Sequence, residues 1–103
     1  MSAVADQDGG RDRIARRIHV QGKVQGVFFR AWTVEQATGL GLDGWVRNRH
    51  DGSVEAVAVG PADKVEELIA RCRRGSPAST VEAVTVEDMP GIVDPGFSQK
   101  PTL

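Results

Sequence analysis

The sequence predicts an α+β domain of order strand, helix, strand, strand, helix, strand, with two helices on one face of an antiparallel sheet and a short extra strand at the end. Three observations carry this. Runs that alternate apolar and polar residues are interrupted by two segments of helical period. Asp51-Gly52 sits between two strand-like runs, a strong hairpin signal. Gly39 and Gly41, Gly60-Pro61, and Gly75 punctuate the helix boundaries. The resulting order is the split βαβ, ferredoxin-like arrangement. It hosts many unrelated functions and decides none of them.

Residues 1–13 are small and polar, with Gly9-Gly10 and no periodicity, and read as a disordered tail before a domain over 14–103. Ile14 to Gln21 is the first strand, with Ile18 and Val20 inward and Arg17, His19 and Gln21 outward. A glycine loop follows. Phe28 to Leu40 is the first helix, since Phe29, Thr33, Ala37 and Leu40 share one side, bordered by Val34. Gly39 and Gly41 end it. Leu42 to Asn48 is the second strand, His50 to Ser53 the turn, and Val54 to Val59 the third strand. Pro61 suits a first helical turn and opens a helix to Arg74, with Val65, Leu68, Ile69 and Cys72 on its apolar stripe. Acidic residues near its start and arginines near its end complement the helix dipole. Gly75 stops it, and residues 76–79 link it to a fourth strand, Val81 to Met89. A loop over 90–96 leads to a last strand, Phe97 to Thr102, where Pro101 fits a sheet edge.

The chain's 103 residues suffice for one domain with one core. A net charge of −1 and a pI of about 6.1 give no global attraction to nucleic acid or anionic membrane. The arginines at 11, 13, 16 and 17 and at 71, 73 and 74 read as solvated or helix-end charge. One cysteine, Cys72, excludes an internal disulfide and reads as a buried, inert thiol. No apolar run reaches the roughly 18–20 residues of a membrane span, and the acidic, polar start is no signal peptide. A reduced, cytoplasmic setting and a monomer are expected. His19 and His50 have no metal-ligand spacing around them, so neither a metal nor a cofactor is expected.

The stretch Gly22-Lys23-Val24-Gln25-Gly26-Val27-Phe28-Phe29-Arg30 carries the functional signal. It joins a strand to a helix, with a glycine near each end and an arginine at the helix entrance. Such a loop turns successive backbone N–H groups toward one point, and the helix N-terminus adds partial positive charge. Arg30 adds a rigid fork of donors suited to phosphate or carboxylate. These residues describe a small oxyanion site. A second stretch, Gly44-Trp45-Val46-Arg47-Asn48, followed by Asp51-Gly52-Ser53-Val54-Glu55 and Gly60, sits on the second strand and its hairpin.

Together, the two stretches resemble the two signatures of the acylphosphatase family, in the family's order and on the expected elements. The resemblance runs from about Arg16 to Thr102 and includes the linker Gly75-Ser76-Pro77-x-Ser79-x-Val81, with Ser76 where many relatives have proline. It implies hydrolysis of the carboxyl–phosphate bond of acyl phosphates. It also implies that the loop amides of Gln25, Gly26, Val27, Phe28, Phe29 and Arg30 cradle the phosphate. Arg30 would hold that phosphate, and Asn48 would position the attacking water. Trp32 and Trp45 stand where the family has aromatics and read as packing or rim residues.

The chemistry agrees with such sparse equipment. The leaving group is a carboxylate, whose conjugate acid has a pKa of about 4, so it departs without protonation. Phosphoryl transfer depends mainly on positioning and electrostatics, which backbone amides and a guanidinium supply. An amide side chain is no base, so Asn48 can only orient water. The expected partners are an acyl phosphate and inorganic phosphate. An alternative is a non-catalytic anion-binding accessory domain of the same fold. An RNA-binding module of this topology would need aromatics on its central strands, and Ile18, Val20 and residues 54–59 offer none.

Overall fold

The computed structural model describes residues 12–103. Most of the expected tail over 1–13 therefore lies outside the described residues. Arg13 is already the first residue of β1 and pairs with Pro61. The elements are β1 (Arg13–Lys23), α1 (Phe29–Gly39), β2 (Asp43–Asn48), β3 (Val54–Pro61), α2 (Ala62–Arg74), β4 (Thr80–Asp88) and β5 (Phe97–Gln99). They form one five-stranded sheet of order β4-β1-β3-β2-β5. The βαββαβ order is as the sequence predicts. The sheet is mixed rather than wholly antiparallel, because β5 adds to β2 in parallel. No helix is long and apolar enough to cross a membrane.

Both helices contact the same sheet. Ile18, Val20, Val46, Val54, Ala56 and Ala58 from the strands meet Phe29, Ala37, Val65, Leu68 and Cys72 from the helices in the main core. Burial pushes the Cys72 thiol up to about 12, so it stays protonated and unreactive at neutral pH. A smaller apolar cluster of Ala15, Val57 and Val59 lies apart from it, packed by Trp45, Met89 and Val93. Residues Val54 to Gly60 of β3 are therefore all buried. A strand covered on both faces reads as a continuous apolar run instead of an alternation.

Two irregularities shape the sheet. Gln21 pairs with Ala83 while Gly22 pairs with Val81, so β4 carries one extra residue at this point. The alternation expected along β4 changes phase there, and Val81 and Val84, three apart, both pack on the main core. Gly22 thus lies within β1, opposite the bulge in β4, and not in the loop. Its φ is +134°, and a Cβ would lie 2.2 Å from the Thr80 carbonyl oxygen. Gly44 in β2 is tighter still: at φ +136°, its Cβ would lie 1.8 Å from the Val57 oxygen and against the Phe97 ring.

The hairpin glycine Gly52 has φ +93° but open space around it. The two positions should respond differently to alanine. Gly52→Ala should lose only the cost of left-handed backbone, about 1–2 kcal/mol. Gly44→Ala adds a backbone collision that only a shift of β3 can relieve, and should lose more than about 3 kcal/mol, beyond the ordinary range for single substitutions. Urea unfolding of both variants checks this, and equal losses would contradict it.

Candidate active site

Two segments converge on one cleft. The first is the loop over residues 24–28. Val24 at its start and Phe29 just after it are buried, which anchors both ends in the core. Between them, Gly26 and Phe28 both take left-handed backbone, with φ of +73° and +61°. Left-handed residues alternating along a loop turn its amides toward a common centre and make an anion-binding nest. Gly26 adopts this freely. Phe28 is the sole non-glycine residue of positive φ among the described residues, at a cost of about 1–2 kcal/mol. It is 86% exposed, so packing does not explain its conformation.

The expected helix over 28–40 is observed as Phe29–Gly39, with Phe28 and Leu40 as its caps. No side chain caps its N-terminus and its first turn holds no acidic residue, which leaves those amides without a side-chain acceptor. Arg30 is the second helical residue. Phe29 and Thr33, both buried, fix the helix on either side of it, and Thr33 Oγ1 donates to the Phe29 oxygen at 2.9 Å. Arg30 forms no ion pair with any described carboxylate.

The second segment is the end of β2. Arg47 Nε and Arg49 Nη1 donate to the same oxygen of Glu55, at 2.8 and 2.9 Å, and Arg17 Nε approaches the other at 3.5 Å. The Glu55 side chain is 6% exposed. Burial pushes its pKa up, but the hydrogen bonds from Arg47 and Arg49 outweigh that and hold the carboxyl below the usual range. With its neighbours tied to the open face, Asn48 is turned toward the helices. The chain end holds this strand from the other edge. Leu103 N donates to the Asn48 carbonyl at 3.1 Å, and His50 N donates to the Leu103 carbonyl at 2.9 Å.

The cleft has a volume of about 340 Å³ and is lined by Val24, Gly26, Phe28, Phe29, Arg30, Ala31, Asn48 and Gln99. Arg30 and Asn48, 18 residues apart in sequence, thus share one wall-to-wall space. The Asn48 side-chain Oδ1 is buried and has no hydrogen-bond partner among the described residues. A buried polar atom without a partner is costly and usually marks a function or a bound water. Of the remaining expected residues, Val27 turns its side chain into the core and Gln25 turns its own toward the β2–β3 hairpin. Val24, Ala31 and Gln99 were not anticipated. Gln99 arrives by parallel pairing with Val46, which no local pattern announces.

Ser76 Oγ, in the linker after α2, is likewise buried without a partner among the described residues, whereas the polar groups of the hairpin satisfy one another. Trp32 packs obliquely on Phe29 with centroids 5.3 Å apart, and Trp45 lies beneath the Arg47 guanidinium at 4.7 Å. Neither lines the cleft. His50 and Asp51 are exposed at the turn. Asp51 accepts from both Ser53 Oγ and Ser53 N, and those bonds hold its carboxyl below the usual range. His19 Nε2 lies 2.7 Å from Ser53 Oγ. A second cleft of about 300 Å³ on the open face is lined by these paired groups together with Arg17, Arg49, Glu55 and Glu87.

A family model described as acylphosphatase matches residues 16–98. The chain is similar to an acylphosphatase of Rhizorhabdus wittichii, with 79% identity over 92 residues, 89% of this chain and 93% of that protein. Among solved structures it resembles an acylphosphatase from Coxiella burnetii, with a TM-score of 0.83, 35% identity, and 86% and 94% of the two chains covered. It is also similar to one from Bacillus subtilis, with a TM-score of 0.79, 36% identity, and coverage of 84% and 98%.

The Glu55 cluster makes a prediction of its own. A depressed carboxyl pKa contributes stability that is complete above the ordinary Glu value of about 4.3 and is lost as pH falls through the lower folded value. Glu55→Gln should therefore cost about 1.5–3 kcal/mol at pH 7, the worth of charged hydrogen bonds. That deficit should shrink on acidification below about pH 4.3. Urea unfolding at pH 7 and pH 3 measures it, and a deficit unchanged between the two would count against the assignment.

Proposed function

The chain belongs to the acylphosphatase family and shares its hydrolysis of acyl phosphates; from that premise we propose a metal-independent mechanism run by the 25–30 loop, Arg30 and Asn48. The single observation that carries it is that Arg30 and Asn48 line one cleft, with the Asn48 Oδ1 left buried and unpartnered. The nest amides and the first turn of α1 take the phosphate oxygens. The Arg30 guanidinium, not committed to any described carboxylate, adds two parallel donors and offsets their charge. Water donates a hydrogen bond to Asn48 Oδ1 and is thereby aimed at phosphorus.

The water oxygen forms the new bond to phosphorus as the bond from phosphorus to the acyl oxygen breaks. The electron pair leaves with the carboxylate, and the two water protons end on the phosphate product or in solvent. Asn48 takes no proton, since an amide is not a base. That leaves the substrate phosphate itself as the proton acceptor. The leaving carboxylate needs neither an acid nor a Lewis acid. Among the described residues no group of three His, Cys, Asp or Glu is arranged to hold a metal. A passive anion-binding domain would have no use for an unsatisfied acceptor beside its phosphate, so Asn48 favours catalysis over that alternative.

Arg30 and Asn48 should fail in different ways. Arg30→Ala removes a contact made in both ground and transition states, so phosphate affinity and turnover should both fall, turnover by roughly 100-fold or about 3 kcal/mol. Arg30→Lys should restore little, because a point charge cannot reproduce the fork. Asn48→Ala should slow turnover as strongly while phosphate affinity stays within a few-fold. Kinetics on an aromatic acyl phosphate, with phosphate as inhibitor, measures both. Loss of phosphate binding in a folded Asn48→Ala protein would refute this division of labour.

Chelation is expected to leave turnover unchanged, and phosphate should inhibit competitively. Phosphate monoesters should be poor substrates, because an alkoxide leaving group needs an acid that this cleft lacks. Activity lost to a chelator and restored by a divalent ion would overturn the metal-independent reading.

A further inference from the structure

Gln25 stands out once the side chains are followed. The loop reading uses only its backbone amide, yet its side chain is half-buried and its amide nitrogen is engaged elsewhere. Gln25 Nε2 donates to the Arg49 carbonyl at 2.7 Å and to the Ser53 carbonyl at 2.8 Å. An amide nitrogen has two protons to give, and both are used. The Ser53 oxygen also accepts from Arg49 N at 2.9 Å, the bond that closes the hairpin. Arg49 adjoins Asn48, and Ser53 adjoins Val54, the register partner of Asn48. Gln25 itself adjoins Gly26, the first left-handed residue of the nest. Among the described residues, no other hydrogen bond joins the 24–28 loop to this hairpin.

We propose that the Gln25 side chain is a positioning residue for the hydrolysis: by clamping the phosphate loop to the hairpin, it sets the distance between the bound phosphate and the water on Asn48. The proposal rests on the reading of Arg30 and Asn48 given above. The two halves of the site belong to different segments, and the covalent path between them runs through the whole of α1. Core packing holds α1 and the sheet together, but Gly26 is exposed, outside that packing. The two Gln25 bonds tie the loop directly to the hairpin and so restrain their separation. In-line attack is steep in that separation, and a misplacement of about 1 Å can cost 100-fold in rate.

The test uses Gln25→Met, which keeps length and backbone amide but has no donor, and Gln25→Glu, whose carboxylate would face two carbonyl oxygens. Turnover of an aromatic acyl phosphate and inhibition by inorganic phosphate are measured from pH 4 to pH 8, with Asn48→Ala alongside. Gln25→Met should lower kcat about 10-fold and leave phosphate inhibition within about three-fold, since the nest survives. Gln25→Glu should be at least as slow at pH 8. On acidification its protonated carboxyl regains one O–H donor, so its kcat relative to Gln25→Met should climb several-fold. A merely structural residue would not split kcat from phosphate affinity in this way. If Gln25→Met is too unstable to assay, the acid recovery of Gln25→Glu decides. A Gln25→Met kcat within two-fold of wild type, or kcat and phosphate affinity falling in proportion, would overturn the proposal. So would a Gln25→Glu protein without acid recovery. A slow Asn48→Ala beside any of these confines the failure to Gln25. An Asn48→Ala protein with wild-type kcat would instead remove the water site on which the proposal rests.

Discussion

The Glu55 carboxylate is the constraint from which the site's orientation follows. It sits on β3, buried, and accepts from Arg47 and Arg49 of the facing strand end. Successive strand residues point to opposite faces. With residues 47 and 49 tied to one face, Asn48 has the other. A one-residue slip of β2 would send Asn48 to the open face and bury an arginine among the apolar residues of the main core. The charge network therefore selects register as well as adding stability. The cost of burying Glu55 is offset by placing two guanidinium donors against one oxygen, with a third guanidinium near the other.

The same economy holds on the loop side. Nothing there is an acid, a base or a nucleophile. Buried residues at either end fix the loop, and two left-handed residues shape its middle. In the mechanism proposed above, the electrostatic stabilisation comes mainly from groups every peptide has, aimed in advance. Pre-aimed dipoles need no reorganisation during reaction. Such a site suits a substrate whose leaving group departs unaided. The strain at Phe28 is the local expense of that shape, small against the charge stabilisation a well-placed donor contributes.

The open face of the sheet also matters. Apolar packing by Trp45, Met89 and Val93 covers one part of β3, and paired arginines and carboxylates cover another. The central strand is thus buried on both sides although both helices lie on one. At the far edge, β5 and the residues after it pair with β2 through backbone bonds from Lys100 and Leu103. They hold the strand that ends in Asn48 and shield its edge.

Much of this was legible in the residues alone. The helical stripes Phe29–Thr33–Ala37 and Val65–Leu68–Cys72, the Asp51-Gly52 hairpin and the glycine loop ending in Arg30 are local patterns, and local patterns determine which elements form and in what order. Each needs only the 3.6 or 2.0 residue period of its own segment. What the tertiary structure alone decided are relations between segments. The extra residue of β4 opposite Gly22, the parallel arrival of Gln99, the shared Glu55 and the reach of Gln25 to two hairpin carbonyls all join residues far apart in the chain. No period within one segment records which atoms of another will lie 3 Å away, because that distance is set by the packing of the whole core and by the few polar groups it leaves to pair.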